Sequence, residues 1–160
     1  MKHDKYWMAL DQVKGVGPAM MREIHDALRR PGLSITDLFT LSPEEMRSEL
    51  SLREQAISAV EAARGRLTLV EDGYFKLIDA GIEIVLFFEE GYPERLNRLM
   101  KNEAPSMLYV YGNRSLLREK SAAVLGEKAV SEKGELVAYR AAQELVRHRI
   151  AVTSGFARGV

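Results

Sequence analysis

From about Gly65 onward the chain alternates short apolar stretches with helical ones, and that alternation limits the fold more than any other feature. Ile82 to Phe88, Met107 to Tyr111, Ala122 to Leu125 and Ile150 to Val152 predict four strands. Tyr92 to Met100 and Ser131 to His148 have helical spacing, and Leu116-Leu117 marks a short helix between the second and third strands. A further helix, Leu69 to Ala80, ends at Gly81, a residue type that commonly follows a helix C-terminus. Elements of these lengths in alternation predict a parallel sheet with right-handed crossovers. Along the helix from Ser131, small residues at Gly134, Ala138, Ala141 and Ala142 share a stripe with Leu145, which suits close packing on a sheet.

The stretch before Gly65 is helical throughout. Tyr6 to Leu10 place apolar residues on one face, and Pro18 sits where a first-turn proline is tolerated, followed by Met21, Ile24 and Leu28. Ser34-Ile35-Thr36-Asp37, Ser42-Pro43-Glu44-Glu45 and Ser51-Leu52-Arg53-Glu54 each read as a capping box, the last opening a helix through Ile57, Val60 and Ala63. The expected class is α/β. A small helical domain over 1–65 precedes a domain over 66–160 built on a parallel sheet with flanking helices.

Lys plus Arg and Asp plus Glu number 23 each, so any anion site must be local. The absence of cysteine excludes disulfides, thiolate chemistry and the usual structural zinc sets. His3, His25 and His148 share no ligand spacing, and no metal site is expected. Met1 to Tyr6 is charged with no apolar signal core behind it, and Ile84 to Phe88 is far too short to span a bilayer. A soluble cytoplasmic protein is the expectation. No serine–histidine–aspartate spacing or helical carboxylate–histidine cluster appears. Glu89-Glu90 reads as a solvated strand end, and Phe87, Phe88, Tyr109 and Tyr111 read as core or sheet-face packing in preference to base stacking.

Three turns carry candidate chemistry. Val13-Lys14-Gly15-Val16-Gly17-Pro18 matches the helix-hairpin-helix pattern, in which backbone N–H groups at a helix N-terminus meet a DNA phosphate. Lys14, Gly15 and Gly17 would make that second DNA contact, with charge added by Arg22, Arg29 and Arg30. The alternative is a plain turn that needs glycine for its dihedrals. In the second turn Gly126 ends a buried strand, Lys128 supplies charge, and Ser131 caps the helix that follows. The third is Ser154-Gly155-Phe156-Ala157-Arg158-Gly159, a glycine-punctuated loop after the last strand. Two parallel strands ending in such turns would bring Gly126, Lys128, Ser154, Gly155 and Arg158 to one sheet edge, with Gly159 shaping the loop.

Taken together these motifs resemble the DprA/Smf family of DNA-processing proteins. Tyr92-Pro93-Glu94-Arg95-Leu96 is similar to its Y-P-x-x-L element, and Ala104 to Asn113 to its P-x-x-L-y-x-x-G-n segment. Val124-Leu125-Gly126-Glu127-Lys128 stands where the family has V-G-S-R, and Val152 to Gly159 resembles its V-S-G-x-A-x-G signature. The resemblance implies a Rossmann-like domain that binds single-stranded DNA in natural transformation and delivers strands to the recombinase RecA. It implies no cofactor and no catalysis. Lys128 in place of the family arginine keeps the charge but loses the bidentate fork, and Glu127 in place of serine adds a negative charge beside the loop. The family continues past the position of Gly159, so a truncated or divergent member is expected, with dimerisation depending on that remainder. Two other readings stand beside this one. One is a nucleotide-binding or nucleotide-cleaving protein using Glu127 or Glu132 as general acid or base, and the other is an inactive product.

Overall fold

The computed structural model describes residues 3–29 and 32–155. The chain divides into two units, Met1–Arg114 and Ser115–Val160. In the first, helices α1 (Asp4–Asp11), α2 (Pro18–Arg29), α3 (Ile35–Leu38), α4 (Pro43–Ser48), α5 (Glu54–Arg64) and α6 (Leu67–Asp79) precede strand β1 (Ile82–Leu86). Helix α7 (Glu94–Met100), a 3-10 turn and strand β2 (Met107–Tyr111) complete it.

One core serves this whole unit. The apolar face of α2 buries Met21, Ile24 and Leu28, α1 contributes Trp7 and Leu10, and α5 contributes Ile57 and Val60. The same cluster takes in Val70 of α6, Ile84 and Leu86 of β1 and Met107 of β2. The units therefore divide at 114/115, whereas the sequence expectation placed a boundary at 65/66. Residue 65 lies where α5 turns into α6, and α6 packs against α1.

Local chemistry explains the helix ends. Ser34 and Ser42 each form a complete capping box: the Ser42 hydroxyl accepts from the Glu45 N–H at 3.3 Å while the Glu45 carboxylate accepts from the Ser42 N–H at 2.7 Å. The third expected box does not form. Ser51 takes a left-handed backbone with φ +55°, and α5 starts three residues later at Glu54, behind Arg53, with no side-chain cap. Arg64 then donates from Nη2 to the Leu38 carbonyl at 2.8 Å and to the Leu41 carbonyl, tying the end of α5 to the segment after α3.

Strands β1 and β2 pair antiparallel, Ile82 opposite Tyr111 and Leu86 opposite Met107. In the second unit β3 (Ser121–Ala123) and β4 (Ala151–Thr153) pair parallel, Ser121 opposite Ala151 and Ala123 opposite Thr153. The α/β class is as expected, but the single four-stranded parallel sheet is corrected to two two-stranded sheets of different polarity. Between β3 and β4 the chain crosses over through the 16-residue helix α8 (Glu132–Arg147), whereas β1 and β2 are joined through the seven-residue α7 and a 3-10 turn. Strand β1 also ends at Leu86, earlier than expected, because Phe87 and Phe88 enter a turn closed by the Glu89 N–H donating to the Leu86 carbonyl at 2.9 Å.

The second unit has no buried residue among those described. Leu125 is 75% exposed, and Leu136, Val137, Tyr139 and Val146 of α8 are exposed as well. Among the described residues no helix is long and apolar enough to cross a membrane.

Candidate nucleic-acid interface

Because β3 and β4 run parallel and in step, their carboxyl ends lie side by side. The Val124 N–H extends the ladder by donating to the Thr153 carbonyl at 2.9 Å. From one end the chain leaves through Gly126, Glu127 and Lys128, all exposed, and from the other through Ser154 and Gly155, also exposed. Gly126 and Lys128 thus follow one of the two paired strand ends, and Ser154 and Gly155 the other. Arg158 and Gly159 lie outside the described residues. The first loop ends at Ser131, whose hydroxyl accepts from the Gly134 N–H at 3.2 Å and caps α8. A 16-residue helix begins at this edge, and its dipole favours negative charge there.

Beside this edge lies an open cavity of about 480 Å3, bounded by Val124, Val152 and Ser154 on the strand side and by Glu132, Glu135 and Tyr139 on α8. The two carboxylates suit the helix N-terminus but repel phosphate, so the groove and the loops differ in the charge they favour. Glu135 and Tyr139 are absent from the motif reading. Their spacing from Glu132, three and then four residues on, was the available signal, since it places them on one helix face. Among the described residues no group of histidine, aspartate and glutamate is arranged to hold a metal ion.

The second candidate contact lies in the other unit. Lys14 and Gly15 form the turn between α1 and α2, closed by the Val16 N–H donating to the Val13 carbonyl at 3.0 Å, and Gly15 has φ +91°. That left-handed dihedral is the reason for glycine here. Gly17 precedes Pro18, the first residue of α2, and with Gly15 borders a cavity of about 450 Å3 that also meets Arg53 and Glu103. Arg53 is already paired with Glu23, its Nε donating to the carboxylate at 2.9 Å. That hydrogen bond holds the Glu23 carboxyl below its ordinary pKa. Of the supporting cations, Lys14 and Arg29 are exposed. Arg22 is turned inward: it donates to Asn97 Oδ1 at 2.7 Å and lies over the Phe87 ring at 4.4 Å, so it is withdrawn from any phosphate. Arg30 lies outside the described residues.

The aromatic residues divide unevenly. Phe87 and Phe88 pack with His25, Phe88 stacking on its ring at 4.2 Å. Tyr109 and Tyr111, expected to pack in the core or on a sheet face, are 48% and 80% exposed.

Comparison with known families bears on the half of the chain that holds the strand edge. Residues 83–160 match the family described as DNA recombination-mediator protein A. That segment belongs to the family. The resemblance to DprA proteins seen in the motifs from Tyr92 to Gly159 therefore holds, and it ties the segment to DNA processing in recombination. Within this DNA recombination-mediator segment fall β2, β3, α8 and β4, and both glycine loops of the strand edge. No curated protein matches the chain.

Proposed function

We propose that the edge formed by the ends of β3 and β4 binds single-stranded DNA through its phosphates, without catalysis, and hands the strand to the recombinase RecA. The observation that carries this reading is the in-step parallel pairing of the two strands, which sets both glycine loops side by side next to the start of α8. Lys128 and Arg158 neutralise phosphates, and Gly126, Ser154, Gly155 and Gly159 let the backbone approach. Glu132 and Glu135 keep the phosphates at the loops and out of the groove. Lys14, Gly15 and Gly17 form a weaker second contact. Such a protein works in the cytoplasm, where RecA acts.

Fluorescence anisotropy of a labelled oligonucleotide against salt tests the proposal. Binding should weaken as salt rises, and Lys128→Ala should reduce the slope of log K against log salt by about 1 with little change in base preference. Binding that is flat in salt sinks it. Strand delivery is read separately, as faster RecA filament formation on the oligonucleotide when the protein is present.

A second reading has one observation in its favour. Glu132, named from sequence as a general acid or base, borders the 480 Å3 cavity together with Glu135 and Ser154. Release of free base from nucleoside monophosphates, abolished by Glu132→Gln, would select nucleotide cleavage.

A further inference from the structure

A cavity of about 370 Å3 lies within the first unit, among residues far apart in the chain: Asp4 and Trp7 of α1, His25 and Arg29 of α2, and Phe88 and Glu89 after β1. Its volume falls within the range of roughly 300–1,000 Å3 usual for small-molecule sites. We propose that this cavity is a nucleobase pocket, taking the neutral planar ring of a nucleoside or of a nucleotide at a strand end.

Three aromatic side chains border the cavity, and because His25 and Phe88 already stack on each other, a ligand ring would stack on the open side of Phe88 and not between the two. The His25 and Phe88 rings stack 4.2 Å apart and 12° from parallel. Trp7 stands tilted to both, with its ring centre 5.4 Å from that of Phe88 and 6.1 Å from that of His25. Leu28 and Leu86 add apolar surface. A planar heteroaromatic ring entering such a space gains stacking on aromatic faces, and every base has a face of that kind.

Charge decides between ligand classes. Asp4 and Glu89 bring two carboxylates to the cavity beside the guanidinium of Arg29, with His3 also at the border and Arg114 Nη2 4.0 Å from Glu89, so a bare phosphate finds no cluster of free cations there. A quaternary ammonium would meet Arg29 at the same site. A neutral ring avoids both conflicts, and its edge offers donors for carboxylates and acceptors for a guanidinium. The carboxylates are held firmly enough to discriminate: Asp4 is buried, and Glu89 Oε2 accepts from the Leu86 N–H at 3.1 Å. This site lies in the other unit from the strand edge, and its occupancy does not depend on DNA binding there.

Trp7 is the chain's one tryptophan, so its fluorescence reports occupancy directly. The full chain is titrated with adenosine and with thymidine, corrected for absorption, and separately with sodium phosphate and choline chloride. Saturable quenching by the nucleosides alone is expected. Phe88→Leu, at a residue already 40% exposed, keeps apolar bulk and should weaken nucleoside binding roughly tenfold while the far-UV circular dichroism stays unchanged. Quenching that rises linearly, as it does for free tryptophan amide, overturns the proposal. So does saturation by phosphate or choline, or full affinity in Phe88→Leu. Salt-dependent oligonucleotide binding is read by anisotropy, so either site can fail without the other.

Discussion

In the first unit α2 places Met21, Ile24, Ala27 and Leu28 in a core shared with α1, α5 and β1, whereas in the second α8 leaves Leu136, Val137, Tyr139 and Val146 open to solvent. Both helices are amphipathic, and each begins near a glycine turn proposed to meet DNA. They differ in what faces them. Full burial of a large apolar side chain contributes about 1.5–3 kcal/mol, a gain available to α2 many times and to α8 at none of its positions. The second unit is ordered instead by the β3–β4 ladder, the Ser131 cap and the bond from the Ile150 N–H to the Leu145 carbonyl at 2.9 Å. A helix pattern in sequence thus specifies a face to be covered, but not that the face is covered.

Paired truncations give the largest contrast. Ile24→Ala should lower the unfolding free energy by about 2–5 kcal/mol, and Val152→Ala by no more than about 0.5 kcal/mol, measured by urea denaturation followed by circular dichroism. Similar losses at the two sites would mean that the second unit has a hidden core, and would break the comparison. Next come the two serine caps. Ser42→Ala should cost about 1 kcal/mol of global stability, whereas Ser131→Ala should speed amide hydrogen exchange in the first turns of α8 and leave the main transition unmoved. A shift of the global midpoint by Ser131→Ala would show the units unfolding as one.

The smallest effect is one of pH. Burial among Phe87, Phe88 and Trp7 pushes the His25 imidazole below its ordinary value of 6.5, and this outweighs the opposing pull of Asp26. The folded state then binds fewer protons than the unfolded chain. The stabilisation from neutral His25 is complete above about pH 6.5 and declines as the pH falls below it, towards the lower folded-state pKa. Thermal melts of the first unit should lose stability on acidification over that window, and His25→Phe should flatten the slope. An unchanged slope would show that other groups carry the dependence.

Much of the helical half was legible because its signals are local. A serine three residues ahead of an acid marks a capping box, and Ser34 and Ser42 obey the rule. Ser51 carries the same spacing and fails, because a left-handed backbone at that residue moves the helix start beyond its reach. At the strand edge, the turns that carry Gly126, Lys128, Ser154 and Gly155 were legible as glycine breaks after apolar runs. Glu135 and Tyr139 were missed because attention to loops passes over a helix face. Arg22 was misread because its charge is visible in sequence while its partners, Asn97 and Phe87, lie far along the chain.

By itself the sequence determined most of the helices and strands, the serine caps of three helices, and which motifs mark a DNA recombination-mediator segment. These rest on hydrogen bonds and side-chain patterns within a few residues, which any short stretch carries with it. Only the tertiary structure decided that β1 and β2 pair antiparallel while β3 and β4 run parallel, that Arg22 turns inward, and that Trp7, His25 and Phe88 border one cavity. Strand polarity and pocket walls depend on contacts between distant residues, supplied by a buried core in the first unit and by the strand ladder in the second.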